Sequence, residues 1–192
     1  MNNFFAYMAR MKLIRRWSLM KSVTDENIAE HSAQVAQIAH ALALIKNKKF
    51  GGSLNADRVT SIALYHETSE VLTGDLPTPI KYYNREIRNA YREVESVANE
   101  KLLHQLPEEL RDEYRALIEV DPDSYEYQLV KAADKLSAYI KCLEELRSGN
   151  REFASAKKTL GGEIERYYDM EEVRYFCEHF LDSFKKTLDE LE

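Results

Sequence analysis

The stretch LYHETSEVLTGDLPTP, residues 64–79, sets His66, Glu67 and Glu70 ahead of a glycine and two prolines. An imidazole beside a carboxylate is half of a divalent-ion site if other elements bring the remaining N and O donors. Read as a helix, the stretch separates His66 and Glu67 by about 100°, so both reach one point only in the sector between them. Glu70 falls one turn after His66 on the same flank and suits a base that stands beside the ion without ligating it. His31 offers a second imidazole, on the stripe of Ile28, Val35, Ile38 and Leu42. Asp134 offers a second carboxylate, between Ala133 and Leu136 at the edge of an apolar face. An unpaired carboxylate there is costly. Arg16-Trp17 closes the run KLIRRW and joins a planar fork that matches phosphate oxygens to a flat face that can stack on a base or sugar.

Each piece also has a plainer reading. A histidine on an apolar stripe is commonly a hydrogen-bonded core residue. HETSE can be a solvated helix face, and Lys131 or Lys135 can neutralise Asp134. Arg16 can be solvated while Trp17 fills the core.

The elements that must position these residues are helical almost throughout, because apolar residues recur at helical spacing and no stretch alternates like a strand. Residues 3–17 place Phe5, Met8, Ala9, Leu13 and Trp17 roughly on one face. Residues 27–46 repeat Ile28, His31, Val35, Ile38, Leu42 and Ile45, with Asn27 or Asp25 as cap. KNKKFGGSLN reads as a turn. Asn55 caps the helix that carries HETSE, and Gly74 stands just past its end. Thr78-Pro79 reads as N-cap and first residue of a long helix toward His104. Pro107 opens a short helix, and Asp121–Ser124 turn the chain. Residues 125–148 bury Leu129, Ala132, Ala133, Leu136, Ile140 and Leu143, ending at Gly149-Asn150. Gly161-Gly162 interrupts the tail before a last helix with Phe176, Phe180, Phe184 and Leu188. The expectation is one all-α domain over residues 1–192.

The 192 residues suffice for a substantial core, and the net charge of -6 argues against a nucleic-acid polymer as partner. Cys142 and Cys177 form no CxxC and read as reduced thiols. No apolar run reaches membrane length. In MNNFFAYMARMKLIRR the charges follow the apolar residues, the wrong order for a secretory signal. The expected location is the cytoplasm, with no membrane partner.

The order His31, His66-Glu67, Asp134 over three helices resembles the H…HD…D signature of HD-domain metal phosphohydrolases. RRWSLM, ENIAEHSAQVAQIAHALA, FGGSLNADR, YHETSEVLTGDLPTPIKY, LPEELRDEY and KAADKLSAYIKCLEEL extend the likeness to bacterial YfbR-type 5'-deoxynucleotidases over nearly the whole chain, most weakly at residues 150–170. The resemblance implies a single HD-domain helical bundle that removes the 5'-phosphate from deoxyribonucleoside 5'-monophosphates and works as a homodimer. It implies a divalent cation, cobalt or manganese or else copper, held by His31, His66, Glu67 and Asp134. Arg16 would orient the phosphate, Glu70 would be the catalytic carboxylate, and Asp75 would lie by the sugar and the bond to be cut. Trp17, Leu76, Pro77 and Thr78 would complete the nucleotide pocket, which His31, Glu67 and Asp134 also border.

One departure stands out: the family pattern has aspartate where this chain has Glu67. The extra methylene carries the carboxylate about 1 to 1.5 Å further, and a misplacement of about 1 Å can cost on the order of 100-fold in rate. Glu67 could still ligate through another rotamer, displace the ion or water, or be an introduced change that traps substrate. Alternatives are an HD hydrolase for a more highly phosphorylated nucleotide, a nucleotide-binding protein with an impaired site, and a helical interaction module. Extra phosphates call for extra cations near the site, and the sequence suggests only Arg16, with Lys81 in addition.

Overall fold

The computed structural model describes residues 2–81 and 83–192, apart from the side chain of Thr78. Among the described residues the fold is helical, with one isolated bridge between Arg15 and Asn27 in place of any strand. The first segment is not the continuous helix expected for residues 3–17. A short α1 (Phe4–Met8) and a 3-10 turn (Met11–Leu13) give way to extended chain. Phe4 and Met11 are buried, whereas Phe5 and Leu13 face solvent. The helix stops because its backbone finds tertiary partners: the Arg16 amide donates to the Glu26 carbonyl, and the Ile28 amide to that of Ile14.

Helix α2 (Ile28–Lys49) starts at a capping box in which Asn27 and Glu30 satisfy one another's amides. It carries His31 into the core with Val35, Ala39 and Leu42. The turn after it is locked by Asn47, which donates to the Leu54 carbonyl and accepts from the Leu54 amide, both at 2.8 Å. Helix α3 (Ala56–Tyr65), capped by Asn55, lies against α2.

The HETSE stretch departs from the expected helix. α3 ends at Tyr65, residues 66–69 form turns, and α4 (Glu70–Thr73) begins afresh. His66 Nδ1 donates to the Ala63 carbonyl at 2.6 Å and Thr68 Oγ1 to that of Tyr65 at 2.7 Å. These side chains take carbonyls that the next helical amides would have used. The amides of Thr68 and Glu70 instead bond three residues back, a spacing that stacks side chains at i and i+3. Glu70 therefore sits over Glu67 rather than in register with His66. Gly74 then turns the chain with φ 73, a conformation that costs glycine little.

The expected long helix after Thr78 is two helices. α5 (Thr78–Lys81) takes its first bonds from the Pro77 carbonyl, one residue earlier than anticipated, and α6 (Arg85–Leu103) is started anew by Asn84, whose side chain accepts from the Ile87 amide at 2.7 Å. α7 (Glu108–Ile118) follows Pro107 as expected. α8 (Tyr125–Arg147), capped by Ser124, buries every apolar position predicted for it. In the tail, α9 (Ala154–Glu165) runs unbroken through Gly161-Gly162, where an interruption was expected. A Cβ on Gly161 would lie 3.6 Å from the Tyr139 ring, so packing of α9 on α8 outweighs a propensity cost of about 1 kcal/mol per glycine. α10 (Glu171–Phe180) adds Val173 and Phe176 to the core and ends before Phe184, leaving Phe180 and Leu188 exposed rather than on an inward stripe.

The main core is made by α2, α3 and α8, covered by α9 and α10. A smaller cluster of Phe4, Leu102, Leu103 and Leu106 pins α1 to the end of α6. No described helix is long and apolar enough to cross a membrane.

Candidate active site

Three elements meet at one point. His31 on α2, His66 and Glu67 after α3, and Asp134 on α8 each offer one ligand atom, and these atoms lie within 4.8 Å of one another. The hydrogen bonds around them decide which nitrogens face inward. Ser137 Oγ donates to Gln34 at 2.6 Å, so its oxygen accepts from His31 Nδ1 at 3.1 Å. His31 is thereby protonated on Nδ1 and turns the Nε2 lone pair toward Asp134 Oδ1, 3.0 Å away. His66 repeats the arrangement. Its Nδ1 proton goes to the Ala63 carbonyl, and its buried Nε2 has no hydrogen-bond partner and lies 3.3 Å from Glu67 Oε1. A histidine that engages one nitrogen with a carbonyl or hydroxyl and aims the other at a carboxylate cluster is oriented as metal-ligating histidines are.

The electrostatics agree. Burial and the Arg16 charge hold the His31 imidazole below its ordinary pKa, so it stays neutral. Burial opposes the charges of Glu67 and Asp134. Contact with His66 and the field of Lys131 nonetheless hold the Glu67 carboxyl well below the usual range. The His31 contact, with Lys131 and Lys135, does the same for Asp134. Two imidazoles and two ionised carboxylates form a donor set that suits a borderline divalent ion. The extra methylene of Glu67 does not expel its carboxylate from the cluster.

Glu70 is buried, and its Oε2 has no partner. Burial, reinforced by the like charges of Glu67 and Asp75, pushes its carboxyl up to about 10. Asp75 is half-buried; burial raises its carboxyl, while Arg16 pulls it down. Leu76 and Pro77 follow it in the half-buried turn before α5. The side chain of Thr78, expected in the same pocket, lies outside the described residues.

Arg16 is held by an acid that sequence reading overlooked. Glu26 Oε2 accepts from Arg16 Nε at 3.0 Å and from Trp17 Nε1 at 2.7 Å. Burial disfavours the guanidinium charge, but Glu26, Asp134, Glu67 and Asp75 surround it with enough negative field to keep it charged. With Nε taken by Glu26, the two terminal nitrogens are left for other acceptors. Trp17 sits at φ 57 with its indole against Phe153, ring centres 5.2 Å apart. It thus has one foot in the packing, as its plainer reading anticipated. Ser137 and Gln34 were also missed. Each stands three residues after a ligand, Asp134 and His31, which is the signal that could have found them.

The all-helical fold with two histidines and two carboxylates drawn from three elements is that of an HD-domain phosphohydrolase. An HD-domain phosphohydrolase from Listeria innocua superposes with a TM-score of 0.84 at 25% identity, over 95% of this chain and 88% of that one. A cyanophage S-2L HD phosphohydrolase, solved with dA and one catalytic Zn2+, shares the fold at a TM-score of 0.66 and 19% identity, covering 93% and 96% of the two chains. The family model described as 5'-deoxynucleotidase YfbR-like matches residues 3–184, and the chain belongs to that family. It is 56% identical to a 5'-deoxynucleotidase of Vibrio cholerae, over 99% of this chain and 98% of the relative. To 5'-deoxynucleotidase YfbR of Escherichia coli it is 52% identical, over 99% and 96%.

Proposed function

We infer that the chain is a metal-dependent phosphomonoesterase that hydrolyses deoxyribonucleoside 5'-monophosphates to deoxynucleoside and phosphate. The observation that carries the reading is the pair of imidazole Nε2 atoms turned onto Asp134 and Glu67, all within 4.8 Å of one another, beside a charged, buried Arg16. Family membership and the names of the relatives supply the substrate class. His31, His66, Glu67 and Asp134 would hold the divalent cation, cobalt or manganese by preference. Such an ion polarises a phosphoryl oxygen and makes water a stronger acid.

The remaining work falls to side chains. Arg16 neutralises the phosphate and fixes its direction, in a site dry enough for that charge to count. Glu70 moves a proton, from attacking water or to the departing 5'-oxygen. Asp75, with Leu76, Pro77 and Thr78, borders the sugar, and Trp17 borders the nucleoside. The turn between Gly74 and α5 is short and proline-stiffened, so binding there loses little conformational entropy.

The whole of residues 1–192 is read as one domain that works in the cytoplasm as a homodimer. Support for the dimer is a stripe at heptad spacing along α6, where Ile87, Val94 and Val97 are all exposed, at 36%, 52% and 70%.

Phosphate release from dAMP, with AMP as control, across cobalt, manganese, zinc, magnesium and a chelator tests the reading. Metal-dependent release from dAMP but not AMP is expected. Silence in both this protein and its Glu67→Asp variant would overturn it. Glu70→Ala should keep metal and nucleotide binding and lose turnover; wild-type turnover would remove Glu70 from its role.

A further inference from the structure

Beside Glu67 lies a cavity of about 250 Å³ walled by α6, α8 and the turn that carries His66. None of Arg16, Trp17, Asp75, Leu76 and Pro77 lines it. Its wall carries four cations, Lys81, Arg88, Arg92 and Lys131, against two carboxylates, Glu67 and Glu95. Arg88, Arg92, Glu95 and Asn99 recur at spacings of four, three and four, and so share one face of α6. Lys81 is fixed there, 2.8 Å from Glu95 and 4.8 Å from the centre of the Tyr91 ring. The arginines reach the rim from exposed positions on α6.

We propose that this cavity is a second anion site for a phosphate group, reached from the ligand cluster past His66 and Glu67. An excess of cations beside a charge-dense cluster attracts an oxyanion, and two arginines one turn apart can each give it charge-assisted hydrogen bonds. At about 250 Å³ the cavity lies just below the range of about 300–1,000 Å³ typical of small-molecule pockets, so it suits a phosphate group better than a nucleoside. The basic residues available near the site therefore exceed the Arg16 and Lys81 expected from sequence. The occupant is either free phosphate leaving the reaction or the second phosphate of a longer nucleotide. Only this choice of source rests on the proposed function.

The test is calorimetric titration of manganese-loaded protein, carrying Glu70→Ala to stop turnover and wild type at both arginines, and of its Arg88→Gln/Arg92→Gln variant, with orthophosphate, dAMP and dADP. Both arginines are exposed on α6, so the variant should fold. Its orthophosphate or dADP affinity should fall by about tenfold or more, the scale of a lost charge-assisted contact. A fall for orthophosphate, with dADP and dAMP binding alike, identifies free phosphate. If the wild type prefers dADP to dAMP and the variant does not, the occupant is a nucleotide's second phosphate. Wild-type affinities in the variant for both orthophosphate and dADP would overturn the site. Should the wild type release no phosphate from dAMP with any metal, the proposed function fails, yet arginine-dependent phosphate binding would still establish the cavity.

Discussion

At the scale of single residues, the feature with most leverage is the carboxylate at position 67. Glu67 reaches the cluster despite its added methylene, so Glu67→Asp should leave metal affinity within a few-fold. Turnover of dAMP should rise, by up to about 100-fold if the longer side chain misplaces the reacting groups. Equilibrium metal binding and initial rates measured side by side check this, and a large loss of metal affinity on shortening would contradict it. The four candidate ligands followed from the resemblance to the H…HD…D order rather than from residue type, since the chain carries 33 acidic residues and only five histidines. Glu26 followed from neither. It lies ten residues from Arg16 in an irregular segment, and only the backbone pairing of Arg16 with Glu26 brings the two together.

At the scale of elements, α8 presents Asp134 to the candidate metal site and, three residues on, Ser137 as the group that bonds His31. Ser137→Ala should lower metal affinity about 10- to 100-fold with the helical circular-dichroism signal unchanged. A wild-type affinity would show that His31 needs no such support. On α6, Val94→Glu places a charge in the exposed stripe and should convert a dimer to a monomer in size-exclusion chromatography with light scattering. Most helix positions followed from periodicity, and two caps from Asn27 and Asn55, while Ser124, expected only in a turn, caps α8. The breaks at His66 and Asn84 and the continuity through Gly161-Gly162 did not follow, for one shared reason. In each case a side-chain bond to the backbone or a close packing contact overrides a local preference of about 1 kcal/mol.

At the scale of the whole molecule, a buried polar hub ties the N-terminal segment to the end of α8. Glu145 accepts from Lys141 Nζ at 2.6 Å, the Val23 and Thr24 amides at 2.8 and 3.2 Å, and Asn150 Nδ2 at 2.7 Å. Burial pushes its carboxyl up, but these donors bring it down to about 2. Because the folded value lies below the ordinary 4.5, the charge stabilises the fold fully above that pH. The benefit is lost as pH falls toward about 2. Glu145→Gln should cost about 3 kcal/mol at pH 7, since it leaves Lys141 buried without its counter-charge. Urea unfolding across pH should show the gap between variant and wild type narrowing below about pH 4. A gap of constant size would mean that Glu145 acts by shape rather than charge.

The same hub has a consequence for synthesis on the ribosome. The segment with Arg16, Trp17 and Glu26 leaves the exit tunnel early, but its anchors, Glu145 and Asn150, are translated more than 100 residues later. At roughly 5–20 residues per second this is a wait of about 6–25 s. Through it the nascent chain holds neither a docked Arg16 segment nor, until Asp134 emerges, the complete four-residue cluster. Chains stalled at residue 140 should therefore leave the Val23 and Thr24 amides open to hydrogen exchange, and release of the finished chain should close them.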